Sequence, residues 1–292
     1  MNPFVTKYTD VSQTAAEEFG FEVYGAKNYQ LLKKVDKGSG ILLAGPHGRY
    51  VYQGGFRQKG LRKYDLQEWR EVKSIYGIDQ PDAMALSPDG RILVDAATDQ
   101  GELFINKYGR KQYDRKKYKY NIRIWDAESL SLIRVLENAH IGETKTLAFS
   151  PNGKFFVSGG ASYHKKEFKS PHTGSVREVA VYMQPMKLWN TKTGKQVGTI
   201  MSSGYTSKKI QFSKGGKYLF VLDKGSNATI NLHEHEESEW SLKVYDIAAN
   251  RVVDKLKIKR TGTLYNFAIN SMQTVLAVSW ANQIWLYSIA LP

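Results

Sequence analysis

Residues 138–201 hold four short apolar segments separated by turn signals, and this unit constrains the fold of the whole chain. Its first two segments are joined by the turn sequence Ser-Pro-Asn-Gly, and its last two by a polar turn. Alternating apolar runs of this length between such turns are typical of antiparallel strands. The unit therefore predicts one four-stranded antiparallel sheet, whose strands are expected at 146–149, 154–158, 186–189 and 196–201.

The unit recurs along the chain. Its third segment has the pattern apolar-x-apolar-aromatic, and the four middle copies place their aromatics 61, 64 and 56 residues apart. An internal period of this order indicates a repeat architecture. First and second segments occur five times, while 264–289 has three segments and 29–35 reads as an isolated fourth one. The aromatic positions are Tyr24, Tyr64, Trp125, Trp189, Tyr245 and Tyr287.

The unit at 138–201 resembles the WD-repeat β-propeller family, through the sequences Phe-Ser-Pro-Asn-Gly, Val-Ser-Gly-Gly, Lys-Leu-Trp-Asn and Thr-Gly-Lys-Gln. The family's structural network joins a His, a Ser or Thr, a Trp and an Asp, and His140, Ser158 and Trp189 match the first three. The Asp has no counterpart, because a long insert replaces the turn that would carry it. The resemblance covers roughly residues 21–289. Because the family consists mostly of scaffold proteins, it implies the fold and says little about a specific function.

The repeat count and the resemblance together predict an all-β fold, a single β-propeller of five four-stranded blades. The strand at 29–35 is expected to join the C-terminal blade, so that the sheet leaves no open edge. The segment Phe21 to Tyr24 does not fit this count of five blades, because it resembles a sixth third strand. Either it is an accessory strand, or another chain completes the propeller. Residues 1–20 are expected to be a tail or a short helix. The approximate repeats are 41–80, 81–142, 143–204, 205–262 and 263–292 with 21–37.

Three repeats carry a long insert between their second and third strands, at 100–120, 162–185 and 224–241. Because all three occupy the same connection, we expect them to rise from one face. Long connections on a rigid scaffold are common places for binding residues.

The first two inserts are rich in basic residues, in a chain whose formal net charge is +14. Cations attract phosphates and carboxylates, and aromatic faces stack on unpaired bases. Alternatively, Tyr118 and Tyr120 only extend the buried side of a hairpin with Ile122 and Ile124, and the lysines form its solvated side. The candidate residues for a polyanion or partner are Lys107, Arg110, Lys111, Tyr113, Arg115, Lys116, Lys117, Tyr118, Lys119, Lys165, Lys166 and Lys169.

The third insert carries His233, His235 and Glu237, which share one face of a strand and would suit zinc or a similar ion. A charged, exposed hairpin tip explains the same residues, so we predict no metal and no cofactor. The sequence has no Gly-rich phosphate loop, nucleophile elbow or His-Glu-x-x-His motif. We therefore expect no enzyme; a propeller hydrolase or a metal-dependent enzyme is the alternative.

The absence of cysteine and of a signal sequence favours the cytoplasm, and no apolar run approaches the roughly 18 residues of a membrane span. We predict a non-catalytic binding or scaffold module. Its basic, insert-bearing face would engage an acidic protein or nucleic acid within a multiprotein complex. The alternative is a structural subunit that docks through the propeller edge and binds no polyanion. Protein partners are expected in both cases.

Overall fold

A computed structural model describes residues 4–8, 21–25, 30–35, 40–55, 60–105, 108–114, 117–160, 162–169, 174–183, 185–200, 204–225, 240–258, 264–280 and 283–289. The chain divides into two compact units, Met1–Ala139 and His140–Pro292. Within the described ranges, the regular elements are strands, apart from a single-turn 3-10 helix at Pro46–Gly48.

The N-terminal unit contains three sheets and one small hairpin. Its strands, in chain order, are β1 (Phe4–Tyr8), β2 (Phe21–Gly25), β3 (Leu31–Val35), β4 (Gly40–Ala44), β5 (Tyr50–Gly55), β6 (Gly60–Asp65), β7 (Arg70–Tyr76), β8 (Pro81–Leu86), β9 (Ile92–Asp99), β10 (Leu103–Ile105), β11 (Lys111–Tyr113), β12 (Lys119–Asp126) and β13 (Leu132–His140). The orders are β1-β2-β3, β4-β5-β6-β7 and β13-β12-β9-β8, and β10 pairs with β11. The first insert is therefore a hairpin between the second and third strands of its blade.

The C-terminal unit repeats this plan. Its strands are β14 (Thr144–Phe149), β15 (Phe155–Gly160), β16 (Ser162–Lys169), β17 (Val176–Met183), β18 (Met186–Asn190), β19 (Gln196–Ile200), β20 (Gly204–Phe212), β21 (Tyr218–Gly225), β22 (Trp240–Asp246), β23 (Arg251–Ile258), β24 (Leu264–Ile269), β25 (Val275–Trp280) and β26 (Gln283–Ser288). The sheets are β14-β15-β18-β19, β20-β21-β22-β23 and β24-β25-β26, and β16 pairs with β17 as the hairpin of the second insert.

The predicted fold class, an all-β propeller of antiparallel blades, is confirmed. Four blades are four-stranded, and the C-terminal one has three strands within the described ranges. Strand β3, which holds residues 31–35 of the predicted 29–35 strand, pairs with β2, and β2 pairs with β1. Closure of the C-terminal blade by this strand stays a prediction. Phe21 and Val23 of β2 are fully buried, so the supposed accessory strand is the centre of an N-terminal sheet.

The extreme N-terminus also differs from expectation. Residues 4–8 form strand β1, where a tail or a short helix was predicted for 1–20. The sequence Phe-Val-Thr-Lys-Tyr explains the strand, because β-branched and aromatic side chains favour pleated backbone. The rest of this predicted tail or helix, residues 9–20, lies outside the described residues.

The first-to-second strand turns show why a Ser-x-x-Gly pattern recurs. The amide of Phe155 donates to Ser150 Oγ at 3.0 Å, and Gly153 adopts a φ of +67°. In the turn of the next blade, the Tyr218 amide donates to Ser213 Oγ at 3.0 Å, and Gly216 has a φ of +74°. A side-chain acceptor and a left-handed glycine close each turn, so the turn fixes the hairpin register.

Within each unit, successive sheets pack through the apolar positions of the third strand. Leu61 of β6 packs against Met84 and Leu93 of the following blade. In the C-terminal unit, Leu242 of β22 packs against Phe267 and Leu276. The alternation seen in the sequence thus places one aliphatic face of each blade against its successor.

Strand β26 carries the same motif in a different environment. Ile284 is 72% exposed and Leu286 is 70% exposed, whereas the equivalent Leu242 of β22 is only 3% exposed. The strand contains no charged residue. A repeat position that is core in one blade is therefore surface in the last one.

This contrast predicts different stability effects for one substitution at equivalent positions. Leu242→Ala should lower the free energy of unfolding by about 2–5 kcal/mol, because it removes buried methyl groups and leaves a cavity. Ile284→Ala should change it by less than about 0.5 kcal/mol, as expected for a surface site. Urea denaturation of both variants and the parent measures this. Equal losses at the two positions would contradict the environments seen in β22 and β26.

Candidate functional site

His140, Ser158 and Trp189 come together in the first blade of the C-terminal unit. His140 Nε2 lies 2.7 Å from Ser158 Oγ, and Trp189 Nε1 donates to the same oxygen at 2.8 Å. All three side chains are buried. Because β15 pairs with β18 and His140 precedes β14, the local strand order is enough to bring the three residues together.

The imidazole of His140 is neutral and tightly enclosed. Burial, followed by the nearby positive charge of Lys187, lowers the pKa of His140 to about 3. Its Nδ1 is buried without a hydrogen-bond partner. This ring nitrogen is the one that does not contact Ser158, and the Asp expected from the family's network is missing from this blade. A Cβ at Gly160 would overlap the His140 ring, so glycine is required there.

A serine beside a histidine is also the arrangement of a nucleophile and its base. Here Ser158 is 0% exposed, and its oxygen already accepts the indole hydrogen bond of Trp189. A substrate carbonyl has no approach to this oxygen. The pair is therefore suited to holding two strands and an aromatic side chain in register.

The second blade of the N-terminal unit builds a related network from charged groups. Asp95 of β9 is fully buried and pairs directly with Arg123 of β12. The guanidinium donates to the Asp95 carboxylate from Nε at 2.8 Å and from Nη2 at 2.6 Å, and Trp125 Nε1 donates to Oδ1 at 3.2 Å. Arg123 also donates to the carbonyl of Asp79 at 2.8 Å. Asp95 thus occupies the place that Ser158 has in the other unit.

The blade β20-β21-β22-β23 holds a third network of this kind. In it, Lys243 Nζ donates to the Asp223 carboxylate at 2.8 Å, and Ser241 Oγ donates to the same carboxylate at 3.0 Å. Sequence reasoning missed these pairs. A signal was present, since a basic residue stands two positions before the aromatic in four repeats. These residues are Arg62, Arg123, Lys187 and Lys243. The partners of Arg123 and Lys243 become visible only with the register of the neighbouring second strand.

The first insert presents the described part of the predicted basic site. Arg110, Lys117 and Lys119 are exposed, and Tyr113 and Tyr118 are half-buried. Tyr120 is also half-buried and Ile122 is buried, which agrees with the alternative that the two tyrosines extend a buried strand side. Exposed cations and partly buried aromatics therefore occur in the same insert.

Other predicted site residues lie beyond what the structure describes. Lys107, Arg115 and Lys116 are outside the described residues, as are His233, His235 and Glu237 of the third insert. The backbones of Lys111, Lys165, Lys166 and Lys169 belong to β11 and β16, but their side chains are outside the described set. The expectation that the three inserts share one face stays a prediction.

The described ranges carry neither a metal-ligand cluster nor a membrane-spanning helix. Within them, no group of three His, Asp or Glu side chains is placed to hold a metal ion. No helix in the same ranges has the length and apolarity needed to cross a bilayer.

Among the described residues, each unit lines a cavity beside its first-to-second strand turns. The cavity of the N-terminal unit measures about 430 Å³, and its lining includes Tyr50, Tyr52, Asp89, Asp126 and Glu128. These carboxylates already serve the fold: Ser87 Oγ donates to Asp89 at 2.6 Å, and Lys63 Nζ donates to Glu128 at 2.9 Å. The cavity of the C-terminal unit, about 440 Å³, is lined in part by Phe155, Leu188, Phe212, Lys214 and Ile247.

Comparisons with known proteins place the fold and leave the family open. No family model matches the chain, and no curated protein matches it. Among solved structures, it is similar to a chain of the Kuenenia stuttgartiensis hydrazine synthase, with a TM-score of 0.67 and 15% identity. The match covers 89% of this chain and 67% of that one. Similarity at this identity supports a β-propeller fold and nothing about activity, and the WD-repeat resemblance stays a prediction.

Proposed function

We propose that this chain is a non-catalytic, WD-repeat-like binding module that engages a polyanionic partner through its first insert, as part of a multiprotein complex. The observation that carries the proposal is the group of exposed cations beside tyrosines on hairpin β10–β11 and the segment that follows it. Arg110, Lys117 and Lys119 are exposed there. The partner, in either case, carries a chain of negatively charged phosphates or carboxylates.

The charge of the insert supports this reading. Residues 100–120 contain seven basic residues against two acidic ones, within a chain of net charge +14. Clustered cations raise the local concentration of a polyanion and speed its association. Each phosphate contact also releases a condensed counterion, which makes binding depend on salt.

The position of the insert is suited to recognition. It joins β9 and β12, which are paired over eight consecutive residue positions from Ile92–Asp126 to Asp99–Lys119. The buried Asp95–Arg123 pair ties these strands together just below the insert. A loop held by a rigid, paired base loses less conformational entropy when it binds.

The roles of the buried polar groups support a non-catalytic module. Ser158 and His140, the pair that most resembles an active site, are sealed beneath Trp189. Asp95 and Asp223 are fully buried with basic partners. These buried polar groups are thus engaged in holding the strands of a blade together.

Charge reversal of the insert is expected to remove polyanion binding. The triple variant Arg110→Glu, Lys117→Glu, Lys119→Glu should bind a labelled oligouridylate more weakly. Loss of three contacts should reduce the slope of log affinity against log salt by about 2, at roughly 0.7 per contact on a single strand. Fluorescence anisotropy across a salt series measures both changes.

The matched control reverses three exposed lysines on turns of the C-terminal unit, Lys192, Lys195 and Lys214. It changes the net charge by the same amount and should leave the salt slope near that of the parent. Equal losses in both variants would show that only net charge matters and would contradict the assignment to the insert. If neither oligouridylate nor polyglutamate binds the parent at low salt, the chain is better described as a subunit that docks through its edge.

A further inference from the structure

The first insert exposes apolar surface as well as charge. Tyr108 is 73% exposed and Ile105 is 68% exposed. The other large exposed aromatics of the described ranges are less exposed, with Tyr76 at 58%, Trp285 at 37% and Trp69 at 36%. Single exposed apolar residues are ordinary, but neighbouring ones flanked by charge mark interaction sites.

The register of the hairpin places Ile105 and Tyr113 on one face, and Tyr108 lies at the turn between the two strands. Ile105 of β10 pairs with Lys111 of β11, and Tyr113 follows two residues later. Ile105 and Tyr113 therefore lie on the same face of the hairpin. Tyr108 stands at the tip, next to Gly109, whose φ of +72° allows the reversal of the chain.

This combination favours one of the two kinds of polyanion. An acidic peptide without aromatic side chains, such as polyglutamate, is bound through its carboxylates, for which the cations suffice. A single-stranded nucleic acid needs both, because phosphates follow the cations while unpaired bases stack on aromatic faces. A duplex keeps its bases stacked inside and offers the ring no face.

We infer that the first insert binds single-stranded nucleic acid, with an unpaired base stacked on Tyr108 and the phosphates held by Arg110, Lys117 and Lys119. This inference rests on the proposed function and names its ligand class. The strip formed by Ile105, Tyr108 and Tyr113 contacts bases, and the exposed cations of the same insert contact the backbone. Single strands bind more tightly than a duplex of the same sequence.

The test separates stacking from charge by changing Tyr108 alone. Tyr108→Ala should weaken binding of a labelled oligouridylate by about 5- to 150-fold, the range expected for loss of one base–aromatic stack. It should leave binding of an abasic phosphodiester of the same length unchanged, because the cations remain. Tyr108→Phe keeps the stacking face and should bind like the parent. Tyr76→Ala, which removes another exposed tyrosine, serves as the matched control.

The outcomes are distinct. If Tyr108→Ala binds oligouridylate as the parent does, or weakens the abasic strand equally, stacking on Tyr108 is wrong while a polyanion site survives. If polyglutamate binds the parent more tightly than oligouridylate, the ligand is an acidic protein segment and the inference is wrong. If no probe binds the parent, both the inference and the proposed function fail.

Discussion

Replacing Asp95 with alanine is expected to lower the free energy of unfolding by about 3–5 kcal/mol, the cost of leaving one partner of a buried ion pair alone. Asp95 is fully buried, and its carboxylate accepts hydrogen bonds from Nε and Nη2 of Arg123. The substitution leaves a buried guanidinium without its counter-charge and also removes the acceptor of the Trp125 indole. Chemical denaturation monitored by tryptophan fluorescence measures the loss.

A double variant shows whether the loss arises from the unpaired charge. Asp95→Leu with Arg123→Met removes both charges and keeps most of the volume, so it should retain much of the stability lost in Asp95→Ala. Asp254→Ala, at an exposed position of β23, should change stability by less than about 0.5 kcal/mol. If the double variant is no more stable than Asp95→Ala, the pair does not act as a coupled unit.

The strands and turns could be predicted from the sequence because their causes are local. A Ser-Pro-Asn-Gly turn closes through Ser150 and Gly153 whatever lies around it. Alternation over 176–183 is typical of a strand for the same reason, and β17 spans these residues. Sheet membership is not local. Residues 29–35 look like any fourth strand, and only the pairing of β3 with β2 shows which sheet they join.

The candidate sites divide in the same way, into those that follow from local sequence and those that depend on strand pairing. His140, Ser158 and Trp189 could be proposed because a known sequence pattern names them. Asp95 and Arg123 are 28 residues apart with an insert between them, and nothing in the sequence sets their register. Exposure likewise cannot be predicted from residue type alone. Tyr108 and Tyr118 both lie among basic residues in the sequence, yet Tyr108 is 73% exposed and Tyr118 is half-buried.

Acidification from about pH 8 to about pH 5 is expected to remove about 2 kcal/mol of stability through His140 alone. Burial holds the pKa of folded His140 at about 3, below the ordinary value of 6.5. Between these two values the unfolded chain binds a proton that the folded chain refuses. The free energy of unfolding therefore falls as the pH falls through 6.5, at up to about 1.4 kcal/mol per pH unit.

The variant His140→Gln isolates this contribution. Glutamine does not titrate, so the pH dependence of the variant should be flatter than that of the parent by the same 2 kcal/mol or so over this range. The other histidines are common to both proteins and cancel in the comparison.

The pH range of the test stops at about pH 5 because carboxylates such as Asp126, whose pKa is lowered by hydrogen bonds from Ser129, begin to lose their contribution to stability only at lower pH. Denaturation midpoints and slopes at matched pH values give the two curves. Parallel curves for parent and variant would mean that His140 takes up its proton in the folded state, and that the enclosure formed by Gly160, Ser158 and Trp189 does not exclude the charged imidazole.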